Sequence, residues 1–291
     1  MPFTDDQVQR YSRHILLKGV GGKGQRKLLN SKVLVVGAGG LGSPISLYLA
    51  AAGVGTLGII DADTVELSNL QRQVIHHTPD VGRTKVQSAA NKIAEINPDV
   101  TVHAYQYRLN KDNILDLIAN YDFVVEGTDN FPTKFLVNDA CILADKPFNQ
   151  GGILRFQGQT MTHVPGSASY RCVYRQPPPP GAVPTCSEAG VLGAVAGMLG
   201  TIQATETLKY LLGIGELLTN RILMFDALSM TTRTVDVKPT EWAKPAAENT
   251  RVTELIEYEE APCDVDLEAQ YGGPKVEVER ISQAATAGGQ A

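Results

Sequence analysis

Lys32–Gly42 reads KVLVVGAGGLG. Its first five residues are a β-branched apolar run, which predicts a short buried strand. The next six, Gly37-Ala38-Gly39-Gly40-Leu41-Gly42, carry four glycines. Glycine lets a backbone turn tightly and approach a ligand, and a helix that follows presents free N–H groups to a phosphate. That helix is expected over Leu41–Ala52, and a second strand over Thr56–Ile60, ending at Asp61. A carboxylate there can bind ribose hydroxyls. Strand, glycine turn, helix and acid together predict a nucleotide site. The competing reading is a packing turn, with Asp61 a solvated strand end.

The alternation continues outward. Helices are expected at Gly82–Ile96, Lys111–Ala119 and Phe131–Ala144, and strands at Val100–Tyr105, Phe123–Glu126 and Pro147–Gln150. Thr4 and Gln7 form a capping-box pattern, so a first helix is expected from there to about Leu17. After Gly151 the pattern changes. Phe156–His163 alternates like a strand with one exposed face, and residues 165–187 read as a loop with four prolines at Pro177–Pro180. An apolar helix, Ala189–Leu212, and strands at Ile222–Phe225 and Thr232–Val237 follow. The class is α/β: a Rossmann-like, doubly wound, largely parallel sheet continued by antiparallel strands.

The apolar fraction is 43% and the formal net charge −5, which excludes a mainly disordered chain. No global basic excess points to nucleic acid. Residues 247–291 hold 10 acids and 3 bases. The expected division is therefore a body over residues 1–246 and an acidic, partly disordered extension over 247–291. The N-terminus lacks the apolar stretch of a signal peptide. The uncharged run Ala189–Thr205 is short for a membrane span. A cytoplasmic location with no membrane partner is expected.

Asp63–Gln73, DTVELSNLQRQ, and Gly82–Lys85, GRTK, bear on which nucleotide is bound. A dinucleotide needs few cations. A triphosphate attacked in line needs several, to neutralise charge as pyrophosphate leaves. Arg72 and Lys85 suit that task, although each alone reads as a solvated surface cation. Gly127-Thr128-Asp129-Asn130 follows the fourth strand, where open α/β sheets bind ligands. A carboxylate there is a fitting Mg²⁺ ligand, and Asp129 could equally cap the helix at Phe131. Arg13 has only the reading of a surface cation from its neighbours.

RYSRHI, GAGGLGSP, DADTVELSNLQRQ, GRTKV, GTDN, PPPPGAVPTCSEAGV and RVTELIEYEE occur here in one order. Together they resemble the ThiF/MoeB/HesA family, bacterial relatives of ubiquitin-activating enzymes, over roughly residues 5–260. The resemblance implies a homodimer that adenylates the C-terminal glycine of a small ubiquitin-like sulfur-carrier protein, using ATP and Mg²⁺. Gly40 would lie in the phosphate turn and Asp61 would hold the ribose. Ser68, Asn69, Gln71 and Arg72 would line the phosphates. Lys85 would neutralise the α-phosphate, and Asp129 would ligate Mg²⁺, with Asn130 beside it. Arg13 would reach the neighbouring subunit's site. Cys186 matches a loop cysteine that in some members links covalently to the carrier; a spectator role is the alternative.

Many members also hold a structural zinc on two CxxC pairs. Here the first pair reads Ser169-Tyr170-Arg171-Cys172, and the second falls near TEWAKPAA, which has no cysteine. A tetrahedral site needs four ligands, so no zinc is expected, with packing around Trp242 in its place. Cys141, on a helix, is expected in the core. No rhodanese module is expected in 291 residues, so the sulfur donor would be a separate protein, a cysteine desulfurase or a rhodanese.

Three other readings remain. An NAD-dependent oxidoreductase shares the glycine turn and Asp61 but leaves Arg72, Lys85 and Asp129 unexplained. A non-catalytic scaffold would tend to lose those residues. An adenylating enzyme could act on a tRNA base or a peptide with the same ATP motifs. Among carriers, those of molybdopterin, thiamine, cysteine and thiolated-tRNA synthesis are not distinguished.

Overall fold

Eight strands among the described residues form one sheet: β1 (Lys32–Val36), β2 (Thr56–Ile60), β3 (Thr101–Tyr105), β4 (Phe123–Glu126), β5 (Phe148–Leu154), β6 (Gln157–His163), β7 (Arg221–Asp226) and β8 (Thr231–Asp236). The structure is a computed structural model and describes residues 2–179, 182–183, 189–244, 248 and 250–258. Across the sheet the order is β3-β2-β1-β4-β5-β6-β7-β8. The first five run parallel, and β6, β7 and β8 continue antiparallel.

The apolar run of β1 is explained by its central place. Val33 and Val35 join one core, and Leu34 and Val36 the other, so both faces are buried. On the first face lie α4 (Gly42–Ala51), α5 (Lys85–Ile96) and α9 (Gly193–Leu212), which follows the single turn α8 (Tyr170–Val173), through Ile45, Leu49, Val86, Ile93 and Leu199. On the second lie α6 (Ile114–Ile118) and α7 (Phe131–Leu143), through Ile114, Leu117, Leu136 and Val137. Cys141 is fully buried among them, and burial pushes its thiol pKa up. Residues 250–258 also lie on the body. Val252 is buried, Leu255 packs on the second core, and the Tyr258 ring meets Phe135 at 5.9 Å.

Three local expectations need correction. The first helix is broken at Tyr11 into α1 (Asp5–Arg10) and α2 (Ser12–Ile15). Tyr11 is buried and bonded to Asn97 and Asp99, which fixes its backbone outside helical values (φ −97°, ψ 11°). Next, α3 (Gly21–Asn30) is an unexpected helix. Gly21, Gly22 and Gly24 lower its intrinsic propensity by about 1 kcal/mol each. Burial of Leu28, and the Gln25 amide bonded to the Ala52 carbonyl at 2.9 Å, override that penalty. Finally, β6 alternates only at its start, where Gln157 is exposed and Gly158 buried; Thr160, Met161, Thr162 and His163 are all buried. The sequence alternates because buried hydroxyls on β6 have partners. Thr162 Oγ1 donates to Glu206 at 2.6 Å and Thr160 Oγ1 to the Gln150 carbonyl at 2.8 Å.

No helix among the described residues is long and apolar enough to cross a membrane.

Candidate active site

Strand order reverses between β1 and β4, so the loops after these two strands open a crevice at their carboxyl ends. The two loops start side by side. Gly37 N–H donates to the Ile60 carbonyl at 2.8 Å, and Gly127 N–H to the Val36 carbonyl at 2.9 Å.

The glycine turn has distinct steric duties at each position. Gly37 sits at φ +94°, where a side chain would be strained. A methyl group at Gly42 would fall 1.9 Å from the Gly37 carbonyl oxygen, so α4 can pack on the turn only because residue 42 is glycine. Gly39 is open by contrast, its nearest neighbour being the Gln73 amide at 3.7 Å. Gly40 faces Ala196 of α9 and the aliphatic stem of Arg72.

Asp61 reaches back under this turn. Its Oδ2 accepts from the Ala38 N–H at 2.8 Å and its Oδ1 from the Asp63 N–H at 2.9 Å. It remains half-buried at the crevice. His76 supports the turn from inside: Nε2 bonds the Ala38 carbonyl at 2.9 Å and Nδ1 the Ser88 hydroxyl at 2.8 Å. A carbonyl only accepts, so Nε2 carries the proton, and burial lowers the ring's pKa and keeps it neutral.

A single bridge between Thr64 and Thr84 lays the segment after Asp61 against the start of α5. Lys85 is thereby buried, with Nζ 2.8 Å from Asp63 Oδ2. The next turn, Leu67–Asn69, presents Ser68 at the surface. Asn69 is buried and spends its carbonyl oxygen on the Glu66 N–H at 3.2 Å. Gln71 is exposed, and Arg72 lies over Gly40 with Nη1 3.0 Å from the Ser68 carbonyl.

Asp129 is exposed and makes no hydrogen bond or ion pair among the described residues. The cap of α7 is its neighbour: Asn130 Oδ1 accepts from the Thr133 N–H at 2.9 Å. The carboxylate is therefore free of the capping duty that the sequence alone left open. A hard oxygen so placed fits Mg²⁺.

From the sequence Asp63 carries no role of its own, His76 reads only as structural, and the start of α9 has no signal. A Cβ at Gly193 would lie 2.3 Å from the Gln71 carbonyl, so α9 begins against the Gln71–Arg72 turn. The only signal in the sequence was Asp63's place two residues past Asp61; its pairing with Lys85 spans 22 residues.

Arg13 is not brought to this site. It is exposed on α2. Its arm is pinned by Tyr11 to Asp99 and by the Arg10 guanidinium to the Ile96 carbonyl. Both anchors precede β3, at the amino ends of the parallel strands, opposite the crevice. Cys186 lies outside the described residues.

The residues at the expected zinc position are assembled, but with the wrong donors. Cys172 Sγ accepts from the Ser169 N–H at 3.4 Å and contacts Thr240 Oγ1 at 3.3 Å, while the Ser169 hydroxyl donates to the Trp242 carbonyl at 3.3 Å. Ala243 is buried nearby in sequence, at the position a fourth cysteine would take in a CxxC pair beginning at Thr240. One thiol, two hydroxyls and a methyl do not fit tetrahedral Zn²⁺. Trp242 is instead clasped by two guanidiniums, Arg171 at 5.1 Å and Arg251 at 5.0 Å from its ring. Arg171 also pairs with buried Asp139 at 2.6 Å through each of two nitrogens.

A family model described as "ThiF family" matches residues 11–245. The probable adenylyltransferase/sulfurtransferase MoeZ of Mycobacterium tuberculosis is 48% identical over 260 residues, covering 88% of this chain and 65% of that protein. The chain thus spans less than two-thirds of that relative's length. The sulfur carrier protein adenylyltransferase of Thermus thermophilus is 43% identical over 265 residues, covering 89% of this chain and 98% of that protein. Among solved structures, E. coli MccB with MccA-N7isoASN superimposes with a TM-score of 0.71 at 23% identity, over 81% of this chain and 74% of that one. That likeness shows the fold alone.

Proposed function

This chain belongs to the ThiF family, and we propose that it adenylates the C-terminal glycine of a ubiquitin-like sulfur-carrier protein, consuming ATP and releasing pyrophosphate. One observation carries the reading. The glycine turn, Asp61, Arg72 and Asp129 lie on loops, and Lys85 in the first turn of α5, at the carboxyl ends of the parallel strands, where the strand order reverses. An oxidoreductase site needs no such set of two cations and an unengaged carboxylate. The name of the Thermus relative supports a sulfur carrier as the substrate.

The carrier's carboxylate attacks the α-phosphorus of ATP. It is already ionised near neutral pH and needs no general base. Catalysis is then positioning and charge neutralisation. The turn N–H groups of Gly39 and Gly40 receive phosphate oxygens. Asp61 holds the ribose with the oxygen lone pairs left by Ala38 and Asp63. Ser68, Asn69 and Gln71 border the phosphates, and Asn130 fixes the loop beside Asp129 by capping α7. Lys85, aimed by Asp63, and Arg72, aimed by the Ser68 carbonyl, neutralise charge as pyrophosphate departs. Mg²⁺, held by Asp129, would shield the same oxygens when bound. Arg13 acts on the partner's site, since its own arm lies at the opposite end of the strands, and this makes the working unit a homodimer. Cys186 is retained as the candidate for a covalent link to the carrier. The donor set around Cys172 argues for a protein without zinc.

The test is carrier-dependent ATP–pyrophosphate exchange with a small protein ending in Gly-Gly. Exchange that proceeds without any carrier, or Asp129→Ala with full activity, would refute the scheme.

A further inference from the structure

Glu126 is the last residue of β4, three positions before Asp129, and it is fully buried. Every hydrogen bond of its carboxylate is directed. Oε1 accepts from the Thr128 N–H at 2.7 Å and from the Thr128 hydroxyl at 2.5 Å. Oε2 accepts from Lys134 Nζ at 2.7 Å. Lys134 itself is buried on α7 and also donates to the Gly151 carbonyl of β5 at 2.5 Å. The Glu126 main-chain carbonyl accepts from Gln203 of α9 at 2.8 Å.

We infer that Glu126, braced by Lys134, is a positioning residue that holds the Gly127–Thr128–Asp129 turn so that the Asp129 carboxylate faces the nucleotide's metal ion. This rests on the reading of Asp129 as the metal-binding carboxylate.

Three facts favour positioning over plain stability. A buried ion pair is a poor source of stability, because desolvation consumes most of the attraction, so its retention calls for another role. The pair grips the turn twice through one residue, main chain and side chain of Thr128, and reaches no other loop. The Thr128 methyl in turn meets the glycine turn: a Cβ at Gly37 would stand 3.2 Å from Thr128 Cγ2. The grip therefore sets the spacing between the phosphate turn and the metal-binding loop. α7, β5 and α9 give it three rigid anchors.

The experiment measures Mn²⁺ binding by electron paramagnetic resonance on the full chain with α,β-methylene ATP, in wild type, Glu126→Gln, Thr128→Val and Asp129→Ala. Glu126→Gln should weaken Mn²⁺ in the nucleotide complex by ~10–100-fold, the range for a group orienting a metal ligand. Nucleotide binding without metal should stay as in wild type, which a merely structural defect would not spare. Thr128→Val should shift Mn²⁺ in the same direction by less, since the Thr128 N–H still reaches Glu126. It leaves the buried pair intact and decides the matter if Glu126→Gln does not fold. Asp129→Ala/Glu126→Gln should bind Mn²⁺ no worse than Asp129→Ala alone. Wild-type Mn²⁺ affinity in Glu126→Gln and Thr128→Val, with a loss in Asp129→Ala, would overturn the positioning role alone. Wild-type affinity in Asp129→Ala would overturn the metal reading itself, and this inference with it.

Discussion

Cys172 Sγ lies 3.3 Å from Thr240 Oγ1, a hydrogen bond that joins the two segments where the family resemblance places zinc ligands. Purified protein should contain no stoichiometric zinc, and chelators should leave its melting temperature unchanged. Ser169→Cys/Thr240→Cys/Ala243→Cys should then bind one zinc ion, because Cys172 supplies the fourth thiolate. Elemental analysis after dialysis checks both. Zinc in the parent protein, or none in the triple variant, would contradict the assignment.

Lys85 is aimed by Asp63 at 2.8 Å. Lys85→Met should slow carrier-dependent pyrophosphate exchange by ~10²–10³-fold, the scale for losing one charge-stabilising donor. Asp63→Asn keeps a weaker acceptor in place and should cost about tenfold, mostly in kcat, as expected when a reacting group is misplaced rather than removed. Equal losses in the two variants would mean that Asp63 acts directly.

Arg13 stands at the wrong end of the strands for its own crevice. Arg13→Ala and Lys85→Met should each be nearly inactive alone. Mixed after dissociation and reassociation, they should recover roughly a quarter of wild-type activity, because half the dimers then contain one intact site. No recovery after verified subunit exchange would place Arg13 outside the reaction.

His163, the last residue of β6, is buried against Phe148 of β5, and burial pulls its pKa down to about 4. Unfolded, it titrates near 6.5. Between those values the unfolded chain binds the extra proton, so its contribution to stability is complete above about pH 6.5 and is lost as pH falls toward 4. The full loss is about 3 kcal/mol. Chemical denaturation from pH 7 to pH 4 should show a steeper decline in wild type than in His163→Asn. Parallel curves would remove His163 as the cause.

The parallel half of the fold was legible because each element there carries its own signal. KVLVV is buried on both faces, GAGGLG can only turn, and Asp61 ends a strand. Local chemistry also marked Thr4 and Gln7, which form the capping box of α1. α3 escaped notice because three glycines argue against a helix that tertiary burial imposes. β6 misled for a related reason: Thr160 and Thr162 look solvent-facing, yet their partners are Gln150 and Glu206, distant in sequence.

Residue types and spacing, joined to the family resemblance, propose Gly40, Asp61, Arg72, Lys85 and Asp129 as one nucleotide site, since phosphate, ribose and metal each demand a particular chemistry at a strand end. They could not say how those groups are held. Asp63 on Lys85, Asn130 rather than Asp129 on α7, Glu126 on Thr128, and Arg13 at the far end of the strands are relations between segments. The physical reason is that a side chain's charge and hydrogen-bonding capacity are intrinsic, whereas its partner is whatever the folded chain brings within about 3 Å of it.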